Sequence, residues 1–240
     1  MRVIPAVDIS GGKCVRLVEG DRARETVFFA DPLDAARSWV DSGAAMIHVV
    51  DLDGALTGQL KNLTILEKIV ALGTPIEFGG GVRDLGKVQN LAEMGVARVV
   101  IGTAAFEDPA LIEEAAAKFG RRVVLGLDVR RGAIEVDGWT RSVDATPVEV
   151  AHRAETAGVG RIIFTNVARD GTMSGPDLKS AEMLASALTV PLTVSGGVSS
   201  LDDIRSVKKL SPLGVDEIIV GRALYDGAFS YEDAAKTAED

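Results

Sequence analysis

The chain has little cysteine and no long apolar run. Its 240 residues include one cysteine, Cys14, which excludes an intrachain disulfide and a thiolate metal cluster. We expect this thiol to be a buried or half-buried packing residue rather than a nucleophile. No apolar stretch reaches the ~18 residues that a membrane-spanning helix needs, and no secretory signal pattern opens the chain. These features predict a cytoplasmic protein that does not interact with membranes.

Basic residues are also in short supply. Lys and Arg total 26 against 35 Asp and Glu, so the formal net charge is −9. Such a chain is not expected to bind nucleic acid, because the polyanion would meet a negative field. Any anionic ligand must instead be held by a local group of Arg, Lys or backbone N–H groups. The length is sufficient for a sizeable core, and (β/α)8 barrels of this length form one domain.

Short aliphatic runs alternate with amphipathic stretches along the chain. Their nearly continuous apolar character is typical of parallel strands buried on both faces. The eight runs end at Asp8, Asp51, Phe78, Ile101, Asp128, Thr165, Ser195 and Val220.

Capping patterns predict helices between these runs. Helix starts are indicated at Asp31-Pro32, Asp108-Pro109 and Thr146-Pro147. Helix ends are indicated at Ser42-Gly43, Met94-Gly95 and Ala157-Gly158. Eight strands each followed by a helix predict an α/β fold of the (β/α)8 TIM-barrel type. A doubly wound open sheet is the alternative, but it predicts neither eight units nor a repeat.

The two halves of the sequence resemble each other in four ordered places, which indicates an internal half-barrel duplication. The offsets lie between 116 and 120 residues, and small changes among them are what loop insertions would produce. The matched segments are Asp8 with Asp128, Asp53–Gly58 with Asp170–Gly175, Gly80–Val82 with Gly196–Val198, and Ile101–Phe106 with Val220–Tyr225. No Pro-, Gly- or Ser-rich linker separates the halves. We therefore predict one barrel domain, 1–240, with half-barrels of about 1–120 and 121–240.

Asp8 and Asp128 close the first and fifth predicted strands, which face each other across an eight-stranded barrel. Active sites of this fold lie at the carboxyl ends of the strands. Both carboxylates are therefore expected at one mouth, where two carboxyls in different environments can act as acid and base. The alternative is that each aspartate only caps the turn that follows it.

Glycines follow the third, fourth, seventh and eighth predicted strands. Glycine lets a backbone approach an anion closely, and the loops after strands seven and eight are the usual phosphate site of this fold. The repeat predicts a second site after strands three and four, although tight turns also use glycine. The implied ligand is a small-molecule bisphosphate with the carboxylates between its ends. The predicted phosphate contacts are Gly80, Gly81, Gly102 and Thr103 in one half and Gly196, Gly197, Gly221 and Arg222 in the other.

Six segments together resemble one known family, the phosphoribosylformimino-aminoimidazole-carboxamide-ribotide (ProFAR) isomerases of histidine biosynthesis. The segments are Val7-Asp8-Ile9, Gly12–Leu17, Asp51–Ala55, Phe78–Arg83, Asp170–Pro176 and Ser195–Val198. The resemblance extends over essentially the whole chain. It implies a duplicated barrel, often monomeric, without a metal or organic cofactor. The implied activity is an Amadori rearrangement, in which an aminoaldose bisphosphate becomes an aminoketose.

The resemblance also implies roles for single residues. Asp128 would be the general acid that protonates the ribose ring oxygen, and its pKa should therefore be raised. Asp8 would be the general base that removes the proton from C2′. Thr165 resembles a family position near the reacting sugar. Of the two histidines, His48 is either a core or a catalytic residue, and His152 is expected to be structural.

Further residues are candidates for substrate contact. Arg16 and Arg83 either reach the substrate or a phosphate, or form surface ion pairs. Asp170, with Gly171, either orders its loop or contacts the substrate. Trp139 lies in the predicted Gly132–Asp144 loop, where its indole could stack on the imidazole carboxamide base.

Three other functions stay open. One is a dual-substrate isomerase that also acts on phosphoribosyl anthranilate; Asp137 beside Trp139 argues against it, because an acid there would repel a substrate carboxylate. A second is the related imidazole glycerol phosphate synthase cyclase subunit, which works with a glutaminase and typically carries Lys where this chain has Arg16. The third is a non-catalytic phosphate-binding scaffold, either reconstructed or engineered.

Overall fold

Twelve strands and eleven α-helices make up residues 1–239, which a computed structural model describes. The strands are β1 (Arg2–Ser10), β2 (Lys13–Val18), β3 (Asp21–Phe29), β4 (Ile47–Asp51), β5 (Ile76–Gly79), β6 (Arg98–Ile101), β7 (Val123–Arg130), β8 (Ala133–Val136), β9 (Arg141–Val143), β10 (Arg161–Asn166), β11 (Leu192–Ser195) and β12 (Val215–Val220). The helices are α1 (Pro32–Asp41), α2 (Leu52–Thr57), α3 (Leu63–Val70), α4 (Leu85–Met94), α5 (Ala104–Glu107), α6 (Pro109–Phe119), α7 (Pro147–Ala157), α8 (Leu178–Ala187), α9 (Leu201–Lys208), α10 (Arg222–Tyr225) and α11 (Tyr231–Glu239).

Eight of the strands close into a parallel barrel, which confirms the predicted (β/α)8 fold. Their order is β1, β4, β5, β6, β7, β10, β11 and β12, and the ring closes where β12 pairs with β1. These are the eight strands predicted from the aliphatic runs. Four of them extend past the predicted ends: β1 and β7 by two residues each, to Ser10 and Arg130, and β5 and β10 by one residue each, to Gly79 and Asn166.

Two β-hairpins were not predicted, and each follows a strand that carries one of the two aspartates. The antiparallel strands β2 and β3 follow β1, and β8 and β9 follow β7. The prediction of a Gly132–Asp144 loop was therefore wrong. The Asp137-Gly138 turn has positive φ at both residues, 55° and 64°, and this pair favours a tight hairpin turn. That dipeptide was a usable signal for the second hairpin.

Most of the predicted helix ends are where the capping patterns put them. The Asp31 carboxylate accepts a hydrogen bond from the Leu33 N–H at 2.9 Å, and α1 begins at Pro32. Gly95 and Gly158 end α4 and α7 in the left-handed conformation. Asp108 is the exception: α6 does begin at Pro109, but the Asp108 side chain makes no capping hydrogen bond.

The interior of the barrel consists of three layers. An apolar layer in the middle contains Ile4, Val124 and Ile219, among others. Ala6 also belongs to this layer. Because alternate residues of a strand point inward, the next inward position of β1 after Ala6 is Asp8, at the carboxyl end. A layer of buried charge lies at the opposite end and includes Glu217.

A much larger apolar core fills the space between the barrel and its helices, and Cys14 is fully buried in it, as predicted. Within residues 1–239, no helix combines the length and the apolar composition that crossing a bilayer requires.

Candidate active site

A cavity of about 460 Å³ opens at the carboxyl ends of the barrel strands. This volume is typical of small-molecule sites, and the position is the one that active sites of this fold occupy. Every residue predicted for the site lines this cavity. They are Asp8, Arg16, Gly80, Gly81, Arg83, Gly102, Thr103, Asp128, Trp139, Thr165, Asp170, Gly171, Gly196, Gly197, Gly221 and Arg222.

The Asp8 carboxylate is held by a buried arginine from the first hairpin. Nη1 of Arg16 lies 2.6 Å from Oδ2 of Asp8, and Nη2 donates to the carbonyl oxygen of Ala6. Arg16 lies on β2, which pairs with β1 so that Asp8 is opposite Val15. The hairpin therefore supplies the counter-ion for the carboxylate. This contact corresponds to neither of the two predicted roles of Arg16, substrate contact or surface ion pair.

Tyr225 packs behind this ion pair. Its ring centroid is 4.8 Å from the guanidinium carbon of Arg16, a cation–π contact. The phenol donates to the carbonyl oxygen of Ala6 at 2.8 Å and accepts from Trp39 Nε1 at 3.3 Å. Burial raises the pKa of the Tyr225 phenol, so the phenol stays neutral and acts as donor. Arg16 is thus fixed from both sides.

Asp128 meets an indole instead of an arginine. Nε1 of Trp139 donates to Oδ2 of Asp128 at 2.7 Å. Burial raises the pKa of the Asp128 carboxyl, and the hydrogen bonds from Trp139 and Thr165 oppose this shift without cancelling it. Trp139 lies in the turn between β8 and β9, and its ring packs against Gly20 in the turn between β2 and β3. The contact between the indole and Asp128 was not predicted.

Asp170 is a third carboxyl group in the cavity. Burial and the negative charge of Asp8 raise its pKa to about 7, and the charge of Arg16 opposes them. Its loop is tied to the first hairpin, because the Glu19 N–H donates to the Asp170 carbonyl oxygen at 2.9 Å. Nη1 of Arg222 donates to the carbonyl oxygen of Gly171 at 2.8 Å. The loop is therefore held at two adjacent carbonyl groups, those of Asp170 and Gly171.

The two glycine pairs adopt matching backbone conformations. The φ angles are 100° and 81° at Gly80 and Gly81, and 91° and 89° at Gly196 and Gly197. A side chain at Gly80 would collide with the backbone of Asp51, the last residue of β4. Glycine is required there both by the left-handed conformation and by the close approach of a neighbouring strand end.

Arg83 and Asp137 form an ion pair across the rim of the cavity. Nη2 of Arg83 lies 2.9 Å from Oδ1 of Asp137, and Arg141 also reaches Asp137 at 2.9 Å. The Asp137 N–H donates to the hydroxyl of Thr103 at 2.8 Å. Asp137 is thus paired with two arginines. Its charge is therefore no reason to expect repulsion of a substrate carboxylate. Arg83 makes the ion pair that was one of its two predicted roles.

The two histidines lie in different surroundings. His48 lines the cavity, and its Nδ1 lies 2.9 Å from Oε1 of the buried Glu77. His152 is exposed on α7, outside this cavity, 3.4 Å from Glu155. The sequence did not single out Glu77, although an acidic residue inside the run Pro75–Phe78 was a usable signal. Among residues 1–239, no three His, Cys, Asp or Glu side chains are grouped so as to hold a metal ion.

Comparison with known proteins agrees with the resemblance found in the sequence. Residues 2–230 match the family model described as "Histidine biosynthesis protein". A protein of Pelotomaculum thermopropionicum is 45% identical over 239 residues, covering 99% of this chain and 92% of its own length. One from Synechocystis is 44% identical over 237 residues, covering 98% and 93%, and one from Syntrophus aciditrophicus is 40% identical over 240 residues, covering 100% and 99%. Each is named 1-(5-phosphoribosyl)-5-((5-phosphoribosylamino)methylideneamino) imidazole-4-carboxamide isomerase. The chain belongs to the histidine biosynthesis protein family.

Proposed function

We propose that this protein is an aldose–ketose isomerase that converts ProFAR, an aminoaldose bisphosphate, to the corresponding aminoketose in histidine biosynthesis. The observation that carries the proposal is the difference between two carboxyl groups that line one cavity. Asp8 is ion-paired with Arg16, whereas burial raises the pKa of Asp128. Groups whose environments separate them in this way suit a base and an acid. The relatives named above carry the name of this isomerase.

The reaction needs one proton donor and one proton acceptor. Asp128 protonates the ring oxygen of the ribose, the bond from that oxygen to C1′ breaks, and an open-chain Schiff base results. Asp8 then removes the proton from C2′ of this protonated Schiff base. The electron pair released forms the C1′=C2′ bond, and the electrons of the C1′=N bond return to the nitrogen, which already carries its hydrogen. The enolaminol ketonises when its hydroxyl loses a proton and C1′ gains one. No atom is gained or lost overall, so no cofactor is required.

Asp170 is a second group that can hold a proton near neutral pH, since its pKa is about 7. In the proposed mechanism it remains protonated while the anionic Asp8 acts as base. A neutral Asp170 adds no further negative charge beside a substrate that already carries two phosphates. Comparing Asp128→Asn with Asp170→Asn distinguishes the acid from a supporting group.

The phosphates of the substrate are proposed to bind at the two glycine pairs. One end would meet Gly81 and Thr103, and the other end would meet Gly197 and Arg222. Supporting this, the pairs share left-handed backbone conformations and line the cavity, and Arg222 adds a positive charge at the second end. Backbone donors of this kind compensate for the net charge of −9.

The direct test is turnover of ProFAR by the purified protein in D2O, followed by proton NMR. The anomeric signal of C1′ should disappear as C1′ becomes a methylene group that carries one deuteron. The expected rate is in the ordinary enzyme range, about 1 to 10³ s⁻¹. No conversion at substrate concentrations up to millimolar would refute the proposed function.

Phosphoribosyl anthranilate is a second candidate substrate for the same cavity. The pairing of Asp137 with Arg83 and Arg141 favours this candidate, because Asp137 is then not an unpaired acid facing a substrate carboxylate. The same rearrangement would apply, since this substrate is also a ribosylamine. An anthranilate-fluorescence assay decides the question: a kcat/KM within 10²-fold of that for ProFAR would make the enzyme dual-substrate, on the scale by which enzymes discriminate between similar ligands.

The remaining expectations are that the protein acts as a monomer in the cytoplasm. Light scattering coupled to size-exclusion chromatography should give a mass near 25.2 kDa. A mass of twice that value would indicate a dimer and contradict this expectation.

A further inference from the structure

Glu77 is a fully buried acidic residue whose contacts are unlike those of the other carboxylates. It lies on β5, has no exposed surface, and points into the barrel beneath the cavity. Oε1 is 2.9 Å from Nδ1 of His48, and Oε2 is 3.2 Å from Nη1 of Arg98. Both oxygens therefore face nitrogen atoms.

The Glu77 side chain is held in its ionised form. Burial alone would raise its pKa, but the hydrogen bond with His48 and the charge of Arg98 outweigh burial, and the pKa is lowered. Arg98 in turn is held across the barrel by Glu217, at 2.7 and 3.0 Å. A carboxylate has no proton to donate, so Nδ1 of His48 must be the donor in this contact.

This assignment fixes the state of the other ring nitrogen. When the His48 ring is neutral and Nδ1 carries the proton, Nε2 carries a free lone pair. The ring lines the cavity, and within residues 1–239 Nε2 has no hydrogen-bond partner. Asp128 and Asp170 line the same cavity as the His48 ring. An acceptor without a protein partner is thus available in the cavity that these carboxyl groups line.

We propose that Glu77 is a positioning residue that fixes His48 with Nδ1 protonated, so that Nε2 accepts a hydrogen bond from a hydroxyl group of the bound sugar phosphate. The inference rests on the proposed function only for the identity of the ligand. A sugar hydroxyl is the fitting partner because it can donate to Nε2 while its own oxygen accepts from a neighbouring acid. The contact would orient the ribose between Asp8 and Asp128.

The tautomer can be measured without substrate by long-range ¹H–¹⁵N NMR of the histidine ring. The chain has two histidines, so in the His152→Gln variant every histidine ring signal comes from His48. The expected spectrum, at a pH where the ring is neutral, is that of a ring protonated at Nδ1. A ring protonated mainly at Nε2 would overturn the proposal, and that result would not depend on whether the protein isomerises ProFAR.

Two matched variants test the role of Glu77. Glu77→Gln removes the charge that faces Nδ1, and Glu217→Gln removes a charge from the same buried network without touching His48. Only Glu77→Gln should shift the ring toward a mixture of tautomers and lower kcat/KM for ProFAR, by about tenfold, the scale of one hydrogen bond. Equal effects of the two variants on the ring would refute a specific role, as would an unchanged ring in Glu77→Gln.

Discussion

The two aspartates at the mouth of the barrel occupy corresponding positions but have different neighbours. In the strand pairing, Asp8 lies opposite Val50, and Asp128 lies opposite Thr165. Asp8 is held by Arg16, whereas Asp128 accepts a hydrogen bond from an indole. The first site offers a full positive charge to a carboxylate, and the second offers neutral donors, the indole of Trp139 and the hydroxyl of Thr165. In the proposed mechanism, this difference in environment, rather than a difference in position, assigns the base role to Asp8 and the acid role to Asp128.

This comparison also supports our proposal that the barrel is a half-barrel repeated within one domain. Each half begins with a strand that carries an aspartate and leads directly into a β-hairpin. The inward positions one step below the aspartates differ between the halves. In the first half Ala6 pairs with His48, and in the second half Gly126 pairs with Ile163. The backbone scheme is shared while the side chains differ. The second proposed half ends at Asp240, which lies outside the described residues.

The largest effect is expected from replacing the two aspartates singly. Asp8→Asn and Asp128→Asn should each lower kcat for ProFAR by about 10³-fold, because general acid and base catalysis contribute roughly 10²- to 10⁴-fold. Steady-state kinetics on purified variants measures the loss. Asp202→Asn, at an exposed position on α9, is the matched control and should leave kcat unchanged. Activity within tenfold of the parent in either site variant would contradict the assignment.

The glycine pairs should differ in how much an added methyl group destabilises the fold. Gly80→Ala would force a side chain against the backbone of Asp51, so we expect a loss of about 3 kcal/mol, the scale of overpacking plus strain. Gly196→Ala meets only the Asn166 carbonyl oxygen, at 2.9 Å, and should cost less. Gly214→Ala, where φ is 99° and nothing lies within 4 Å of the added methyl group, controls for the conformational penalty alone. Urea unfolding measures the free energy of unfolding of the three variants. An equal loss of stability at all three positions would contradict the prediction.

Asp170 should make the free energy of unfolding depend on pH in a defined direction. Its pKa is about 7 in the folded state and 3.8 as the reference value, so the folded protein holds an extra proton between these pH values. Stability contributed by this proton is present below pH 4 and is lost as pH rises through 7. Asp170→Asn should therefore be more stable than the parent at pH 8, on the order of 2 kcal/mol after allowance for solvent screening. Urea unfolding at pH 4 and pH 8 measures this, and a constant difference would contradict it.

The smallest expected effect comes from exchanging the neighbours of the aspartates. Thr165→Val removes a hydroxyl that opposes the raised pKa of Asp128, so that pKa should rise further. The loss of one hydrogen bond near the reacting centre should lower kcat about threefold to tenfold. Val50→Thr, the reciprocal change beside Asp8, should alter kcat less than Thr165→Val does. The acidic and basic limbs of the pH–rate profile report the two carboxyls, and identical profiles for the parent and Thr165→Val would contradict the prediction.

The sequence was sufficient to predict the barrel and the residues that line the cavity, because both depend on regular features. Aliphatic runs define strands, and strand ends of a parallel barrel meet at one mouth. The partners of the site residues could not be predicted in the same way. Arg16 with Asp8, Trp139 with Asp128 and Arg83 with Asp137 all depend on how hairpins fold over the mouth. Such contacts are set by three-dimensional geometry and leave no periodic pattern in the chain.

The buried contact between Arg98 and Glu217 has a consequence for the history of the protein. These residues stand 119 positions apart, at corresponding places in the last strand of each half, and they face each other across the barrel. In an ancestral pair of identical half-chains, either residue would have faced its own copy, a like charge sealed in a low-dielectric interior. Under the duplication that we propose, the pair could therefore form only after the two copies had begun to change independently. Neither half of the present chain could rebuild this contact by pairing with its own copy.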